Sequence, residues 1–295
     1  MDLRELLALA EGAAAEAATM LAERRSAGRP GVVATKSSPT DVVTEADRTA
    51  EAMITARLLA VRPGDLILGE EGGLHGAAPA GGDSGAGGVG GSDEAGGSGE
   101  AGVVRWIVDP LDGTVNYLYG LPDFSVSIAA EVDGTIVAGV VNVPERGEVF
   151  TAMAGAGAWL RTAGNPPVRL RCNTDVRLAR ALVATGFGYA AARRRTQGEV
   201  VASLLPLVRD IRRAGSAAVD LCSVAAGRVD AYYERGVNYW DFAAGGLVAT
   251  EAGAVLAGLS GNPPGPAFTI AAPQPLFTEL HDQLAAFNPE RDAPR

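Results

Sequence analysis

The 295-residue chain is predicted to fold as an α/β sandwich of layered helices and sheets. Three observations lead there. Leu3, Leu6, Leu7, Ala10, Ala14, Ala17 and Leu21 recur at helical spacing near the N-terminus. Residues 124–160 read as consecutive strands, SVSIAAEV, TIVAGVVNV and EVFTAM, with turns at Asp133-Gly134 and at 144–147. The second half then mixes strand-like runs with helical stretches, without the strict alternation of a βαβ repeat.

A second helix is expected over 44–60, where Ala46, Ala50, Met53, Ile54 and Leu58 share one side. Residues 65–68 and 103–108 are short strand candidates. Further strands are expected at 168–172, 181–185, 230–233 and 254–256, and helices near 194–208, 216–227, 241–252 and 274–287. Residues 72–102 contain no aromatic residue and little to bury, so a flexible Gly/Ala-rich insertion is expected there. The 71 residues before it carry only helices and one strand-like run. They therefore look like part of one domain over 1–288, followed by a tail at 289–295, rather than a domain of their own.

Composition narrows the function. With 47% hydrophobic residues and a mean hydropathy of +0.12, a large core is available. The 35 acidic against 25 basic residues leave a formal charge of -10, which disfavours nucleic acid and anionic membranes as partners. A phosphorylated substrate would be repelled too, unless cations intervene. Cys172 and Cys222 lack a metal-ligand spacing and suit a reduced, cytoplasmic protein. Arg4, Glu5, Glu11 and Glu16 interrupt the N-terminal apolar stretch too often for a signal peptide or a membrane span. No Walker A sequence occurs.

The densest chemistry is Trp106-Ile107-Val108-Asp109-Pro110-Leu111-Asp112-Gly113-Thr114. An apolar strand is expected to end at Asp109, with Pro110 forcing a turn from which Asp109 and Asp112 project together. Gly113 permits close backbone approach, and Thr114 starts a helix whose N–H groups suit a phosphate. Two carboxylates about 4 Å apart repel by roughly 4 kcal/mol at an effective dielectric near 20, and divalent cations reverse that sign. An oxygen-only set without His or Cys suits Mg²⁺. The plain alternative is that both aspartates cap a turn. Glu70-Glu71 follow a strand-like run. Asp47 is equally a capping-box acid after Thr44, and Asp241 equally a favourable acid in a helix's first turn. All of them nevertheless fall at junctions between elements, where sites concentrate.

Asp41-Val42-Val43-Thr44-Glu45-Ala46-Asp47, Gly69-Glu70-Glu71, residues 109–114 and residues 240–245 resemble, in order and spacing, four motifs of the inositol monophosphatase family. The segment GSAAVDLCSVAAGRVDAYYERG at 215–236 is similar to the stretch before the family's last motif, and the likeness runs from about residue 3 to 285. The resemblance implies a layered αβαβα sandwich of the inositol monophosphatase and fructose-1,6-bisphosphatase type. It implies hydrolysis of inositol 1-phosphate or a close polyol phosphate with two to three Mg²⁺ ions per subunit. Glu70, Asp109 and the Leu111 carbonyl would hold one ion, and Asp109, Asp112 and Asp241 a second. Glu70 and a Thr114–Asp47 pair would orient the attacking water. Gly113 and Thr114 would bind phosphate through N–H groups, while Asp112, Ala217 and Glu234 would face substrate hydroxyls. Lys36, the only lysine in the chain, matches a family lysine near the metal site. The family usually forms homodimers, and some bacterial relatives contact RNA polymerase. Sister enzymes acting on fructose 1,6-bisphosphate, histidinol phosphate or NADP share the metal motifs.

Other residues carry less. His75 and His281 have no partner motif. Arg193-Arg194-Arg195 read as a solvated helix start, with phosphate steering as the outside alternative. Arg212-Arg213 suit a subunit interface, and Trp159, Tyr232 and Tyr233 read as core.

Overall fold

The computed structural model describes residues 1–28, 32–35, 42–76 and 102–291. Helices α1 (Leu3–Ser26) and α2 (Glu45–Val61) flank a two-stranded ribbon, β1 (Val32–Thr35) with β2 (Val42–Thr44). Then come β3 (Leu66–Gly69), β4 (Gly73–Gly76), β5 (Arg105–Asp112) and the short α3 (Thr114–Tyr119). The meander follows as β6 (Ser125–Val132), β7 (Thr135–Val143), β8 (Glu148–Met153), β9 (Gly157–Thr162) and β10 (Val168–Arg169). The second half holds β11 (Leu182–Thr185), α4 (Ala191–Leu204), β12 (Asp210–Arg212), α5 (Ala217–Ala225) and β13 (Ala231–Glu234). It ends with α6 (Tyr239–Glu251), β14 (Val255–Ala257), β15 (Thr269–Ala272) and α7 (Leu276–Ala286).

Eight strands form one sheet in the order β10-β9-β8-β7-β6-β5-β3-β4, and five form another in the order β12-β11-β13-β15-β14. Period-two alternation explains how each sheet feeds two cores. Trp106 and Val108 of β5, Val126 and Ile128 of β6 and Val140 of β7 point toward α1 and α2. Ile107, Ala129 and Val141 point the other way, onto α5 and α6. The second sheet repeats the device. Tyr232 and Ala271 join the α5–α6 layer, whereas Tyr233 and Ile270 pack with Val200 and Leu204 of α4 and Leu280 and Leu284 of α7. The expected αβαβα layering is therefore present. Every residue of α5 is buried, as a helix between two sheets requires.

Local chemistry shapes the meander. Asp133 and Gly134 both adopt positive φ, 49° and 75°, and join Val132 to Thr135 in a two-residue hairpin.

Several expectations need correction. Pro110 does not end the strand, because β5 continues to Asp112 and its pairing with β6 slips between Asp109 and Asp112. An irregular register is where a sheet tolerates a residue without an N–H. The insertion begins later than residue 72, since Gly73–Gly76 pair with β3 at the sheet edge. Its expected flexibility over 77–101 falls outside the described residues, as do Lys36 and Asp41. Strands β1 and β2, which add to the single strand-like run expected before residue 72, escaped notice, as did β4, β12 and β15, all of them three or four residues long. Trp159 is not core but 38% exposed, with the Arg169 guanidinium carbon 6.0 Å from its ring centroid.

Asp65 anchors the chain where it returns from the insertion. Buried, it accepts from Val104 N–H at 3.2 Å and Trp106 Nε1 at 2.9 Å, and pairs with Arg62 at the end of α2. Asp65→Ala leaves both buried donors without a partner, so stability should drop by about 2–3 kcal/mol. A urea midpoint unchanged at constant m-value would refute this.

Candidate active site

A cavity of about 490 Å³ opens between the two sheets, lined by Glu70, Asp109, Asp112, Asp241 and Glu234 among others. Four separate elements deliver these five carboxylates. Glu70 follows β3, and its N–H donates to the Val108 carbonyl of β5 at 3.2 Å. Asp109 and Asp112 flank the register slip of β5, Asp241 lies in the first turn of α6, and Glu234 ends β13.

Each aspartate has one oxygen committed to the backbone nearby or across the cavity. Asp109 Oδ1 accepts from Leu111 N–H at 3.0 Å. Asp112 Oδ2 accepts from Ser216 Oγ at 2.6 Å and Ala218 N–H at 2.8 Å. Asp241 Oδ2 accepts from Asn238 N–H at 2.6 Å, closing a capping box. Asp47 differs, because both its oxygens are taken. Oδ2 accepts from Thr44 N–H at 2.8 Å and Thr44 Oγ1 at 2.5 Å, and Oδ1 faces Thr114 Oγ1 at 3.0 Å. The capping box and the link to Thr114 are both present, so the two readings of Asp47 coexist.

Thr114 Oγ1 also lies 3.1 Å from the Leu111 carbonyl, so its single proton has two acceptors in reach. Gly113 precedes it at φ 92°, ψ 37°. A Cβ there would lie 2.8 Å from the Asp123 carbonyl oxygen, so glycine is required for space as well as conformation.

Burial and mutual repulsion raise the carboxyl groups of this cluster. Asp109 is driven well above the ordinary carboxylate range, first by burial and then by the charges of Glu70, Asp112 and Asp241. Asp241 is raised likewise by burial, Asp112 and Glu70. Burial lifts Asp112 to about 6 against the hydrogen bonds from Ser216, Ala218 and Ala217. It lifts Glu234 to about 7, although Tyr232 O–H donates to Glu234 at 3.0 Å. Gly186 lies so close to the Glu234 carboxylate that any side chain at 186 would displace it.

Every foreseen site residue among the described ones is thus accounted for. Glu70, Asp109, Leu111, Asp112, Gly113, Thr114, Ala217, Glu234 and Asp241 line the cavity, and Asp47 stands behind Thr114. Among the described residues, no three acidic, His or Cys side chains are already closed into a metal cage. The arrangement is instead one of half-committed carboxylates around open space.

Sequence reasoning missed several contributors. Ser216 caps α5 and simultaneously orients Asp112; the Ser before an apolar helical run was the available signal. Glu51 accepts from Glu71 N–H at 2.8 Å and so shapes the turn after Glu70. Arg193 and Arg213 also line the cavity, unlike the exposed Arg194 and Arg195, and Arg212 pairs with Asp210.

Alternating helical and sheet layers around an acidic cavity define the layered αβαβα phosphatase class. The chain belongs to the inositol monophosphatase family, a family of phosphoric monoester hydrolases, which it matches over residues 2–290. It is 43% identical to an inositol-1-monophosphatase of Mycobacterium leprae, over 97% of this chain and 96% of that one. The solved structure of Mycobacterium tuberculosis SuhB superposes with a TM-score of 0.76 at 40% identity, covering 98% of this chain and 99% of that one. A protein of Haemophilus influenzae named Nus factor SuhB is 35% identical over 96% of each chain. Among the described residues, no helix is long and apolar enough to cross a membrane.

The raised acids set a pH dependence. For Asp112 and Glu234 the folded state binds more protons than the unfolded state between their ordinary values of 3.8 and 4.5 and the raised values of about 6 and about 7. Stability of the metal-free protein should therefore fall as pH rises through that window. Melting temperatures taken without divalent ions test this, and a steady rise from about pH 4.5 to 7 would contradict it.

Proposed function

We propose that the chain is a Mg²⁺-dependent phosphatase that hydrolyses inositol 1-phosphate or a close polyol phosphate. The observation that carries this is the convergence of Glu70, Asp109, Asp112 and Asp241 on one cavity, where burial and then the neighbouring carboxylates push Asp109 well above the ordinary carboxylate range. Such a set fits hard divalent cations. Its donors are all oxygens, and the N–H groups of Leu111, Ala218 and Asn238 each bond a single oxygen of Asp109, Asp112 and Asp241 respectively. Glu70, Asp109, Asp112, Asp241 and the Leu111 carbonyl would hold two to three ions. When bound, Mg²⁺ would supply Lewis acidity toward the phosphoryl group and the leaving oxygen.

The protein's own groups do the remaining work. Asp47 has no oxygen to spare and is a positioning residue: it takes the Thr114 hydroxyl proton, leaving that oxygen to accept from an attacking water. Glu70, just beyond the neighbouring strand β3, orients the same water. Gly113 and Thr114 present N–H groups to phosphate, while Glu234, Ala217 and Asp112 face the hydroxyls of the alcohol part. The catalytic unit spans 1–288 as one domain with a tail at 289–295. We place it in the cytoplasm as a homodimer, with Lys36 as an accessory group near the metals.

The test is a Mg²⁺-dependent phosphatase panel of inositol 1-phosphate, histidinol phosphate, fructose 1,6-bisphosphate and NADP. Absence of any Mg²⁺-stimulated phosphate release would sink the reading. A second reading, binding to a protein partner such as RNA polymerase, is favoured by the likeness to a protein named Nus factor. Stoichiometric co-purification from lysate would support it.

Two substitutions separate chemistry from recognition. Asp109→Asn should abolish turnover yet leave the metal-free fold no less stable, because fewer like charges converge. Activity near wild type would remove Asp109 from the metal set. Glu234→Gln should lower kcat/KM for inositol 1-phosphate by about ten- to a hundredfold, the worth of charge-assisted hydrogen bonds. Hydrolysis of p-nitrophenyl phosphate, which has no such hydroxyls, should hardly change. Equal losses on both substrates would move Glu234 into the metal site or the fold.

A further inference from the structure

Strands β11, β12 and β13 of the smaller sheet run parallel, so all three point the same end at the active-site cavity. Gly186, Arg213 and Glu234, at their C-terminal ends, line that cavity. Their N-terminal ends open on a separate concavity of about 400 Å³. Leu182 of β11, Arg209 just before β12 and Asp230 just before β13 line it, together with Arg180 and Arg228. The four residues of β11, roughly 13 Å of extended chain, lie between the two openings.

The three arginines of this concavity are not equivalent. Arg228 serves the fold: both its terminal nitrogens donate to Glu148, and its guanidinium carbon lies 5.6 Å from the Phe150 ring centroid. Arg209 is clamped without being neutralised. Its backbone N–H donates to the Ala181 carbonyl at 2.9 Å, and its Nε to the Arg180 carbonyl at 2.8 Å. With Nε held by a carbonyl, the fork of terminal nitrogens stays open. Among the described residues, neither Arg180 nor Arg209 forms an ion pair, and the Arg180 side chain makes no hydrogen bond.

The acids of the lining do not neutralise them. Asp230 is buried, and its oxygens accept from Asn173 Nδ2 at 2.8 Å and from Leu182 N–H at 2.7 Å. Asp175 is exposed and, among the described residues, pairs with neither arginine. Two open guanidiniums thus stand side by side in a chain whose formal charge is -10. Their mutual repulsion is relieved by an anion that bridges them. Guanidinium forks match phosphate oxygens bidentately, and a phosphate dianion accepts from two forks at once. The concavity is larger than phosphate alone requires, and Val176 and Leu182 offer an apolar wall to an organic group.

We propose that Arg180 and Arg209 form a second binding site, at the end of the smaller sheet opposite the active-site cavity, for the phosphate group of free phosphate or of a small phosphate monoester. No bond is made or broken there. The site stands independently of the reaction assigned to the cavity.

The test is equilibrium dialysis of inorganic phosphate against the full-length protein in EDTA, for the wild type, Arg180→Gln, Arg209→Gln and the double variant. The wild type should bind one phosphate per chain more than the double variant. Each single variant should weaken that phosphate by about tenfold, as loss of a charge-assisted hydrogen bond requires. Arg209→Lys, which keeps the charge but not the fork, should fall between. Inositol 1-phosphate, not turned over in EDTA, identifies the source. Binding tighter than phosphate through the same arginines assigns the site to a monoester, and weaker binding assigns it to free phosphate. Unchanged melting temperatures verify the fold, and Arg180→Gln, which removes no bond of the fold, carries the test alone should Arg209→Gln unfold. Equal phosphate binding by the wild type and the folded variants overturns the site. Acetate bound as tightly as phosphate overturns it too.

Discussion

The rest of the structure depends on holding Glu70, Asp109, Asp112 and Asp241 together against their own repulsion. Like charges in a half-buried cavity spread apart unless the backbone beneath them is rigid. Rigidity comes from β5, buried on both faces and paired on both edges, with Trp106 and Val108 in one core and Ile107 in the other. Sliding β5 by one residue would exchange these faces and carry the aspartates out of the cavity. Packing on the large sheet thus fixes where the acids sit.

Economy of contacts is the second theme. Asp47 closes the capping box of α2 and holds Thr114; Asp241 closes that of α6 and lines the cavity; Ser216 caps α5 and holds Asp112. In each case the group that satisfies a helix's free N–H groups also fixes a site residue. Helix formation and site assembly are therefore one event, and loosening a cap would loosen the site. The choice between a structural and a functional role for these residues dissolves, because the carboxylate has two oxygens and uses both.

Much of the fold was legible because its signals are local. Helices α1, α2, α5 and α6, the Asp133-Gly134 hairpin and the meander from β6 to β8 follow from periodicity and turn chemistry. Strands β12 and β15 were not, and their pairing with β11, β13 and β14 supplies the stabilisation their own sequence lacks. Pro110 misled for a related reason. A proline ends an isolated strand, but a register slip against β6 absorbs it here.

The amino-acid sequence by itself determined which chemistry is available: carboxylates at element junctions, a glycine and threonine beyond Asp112, caps ahead of helices, and the family they resemble. These are properties of a few neighbouring residues, set by the geometry of one turn. Only the tertiary structure decided which of them share a cavity and what stands opposite them. Ser216 reaches Asp112 across 104 positions, and Thr114 reaches Asp47 across 67. Arg193 and Arg213 looked like a solvated helix start and an interface, yet both line the cavity that holds the carboxylates. Strand pairing and layer packing create that proximity, and neither leaves a mark on the residues a short window contains.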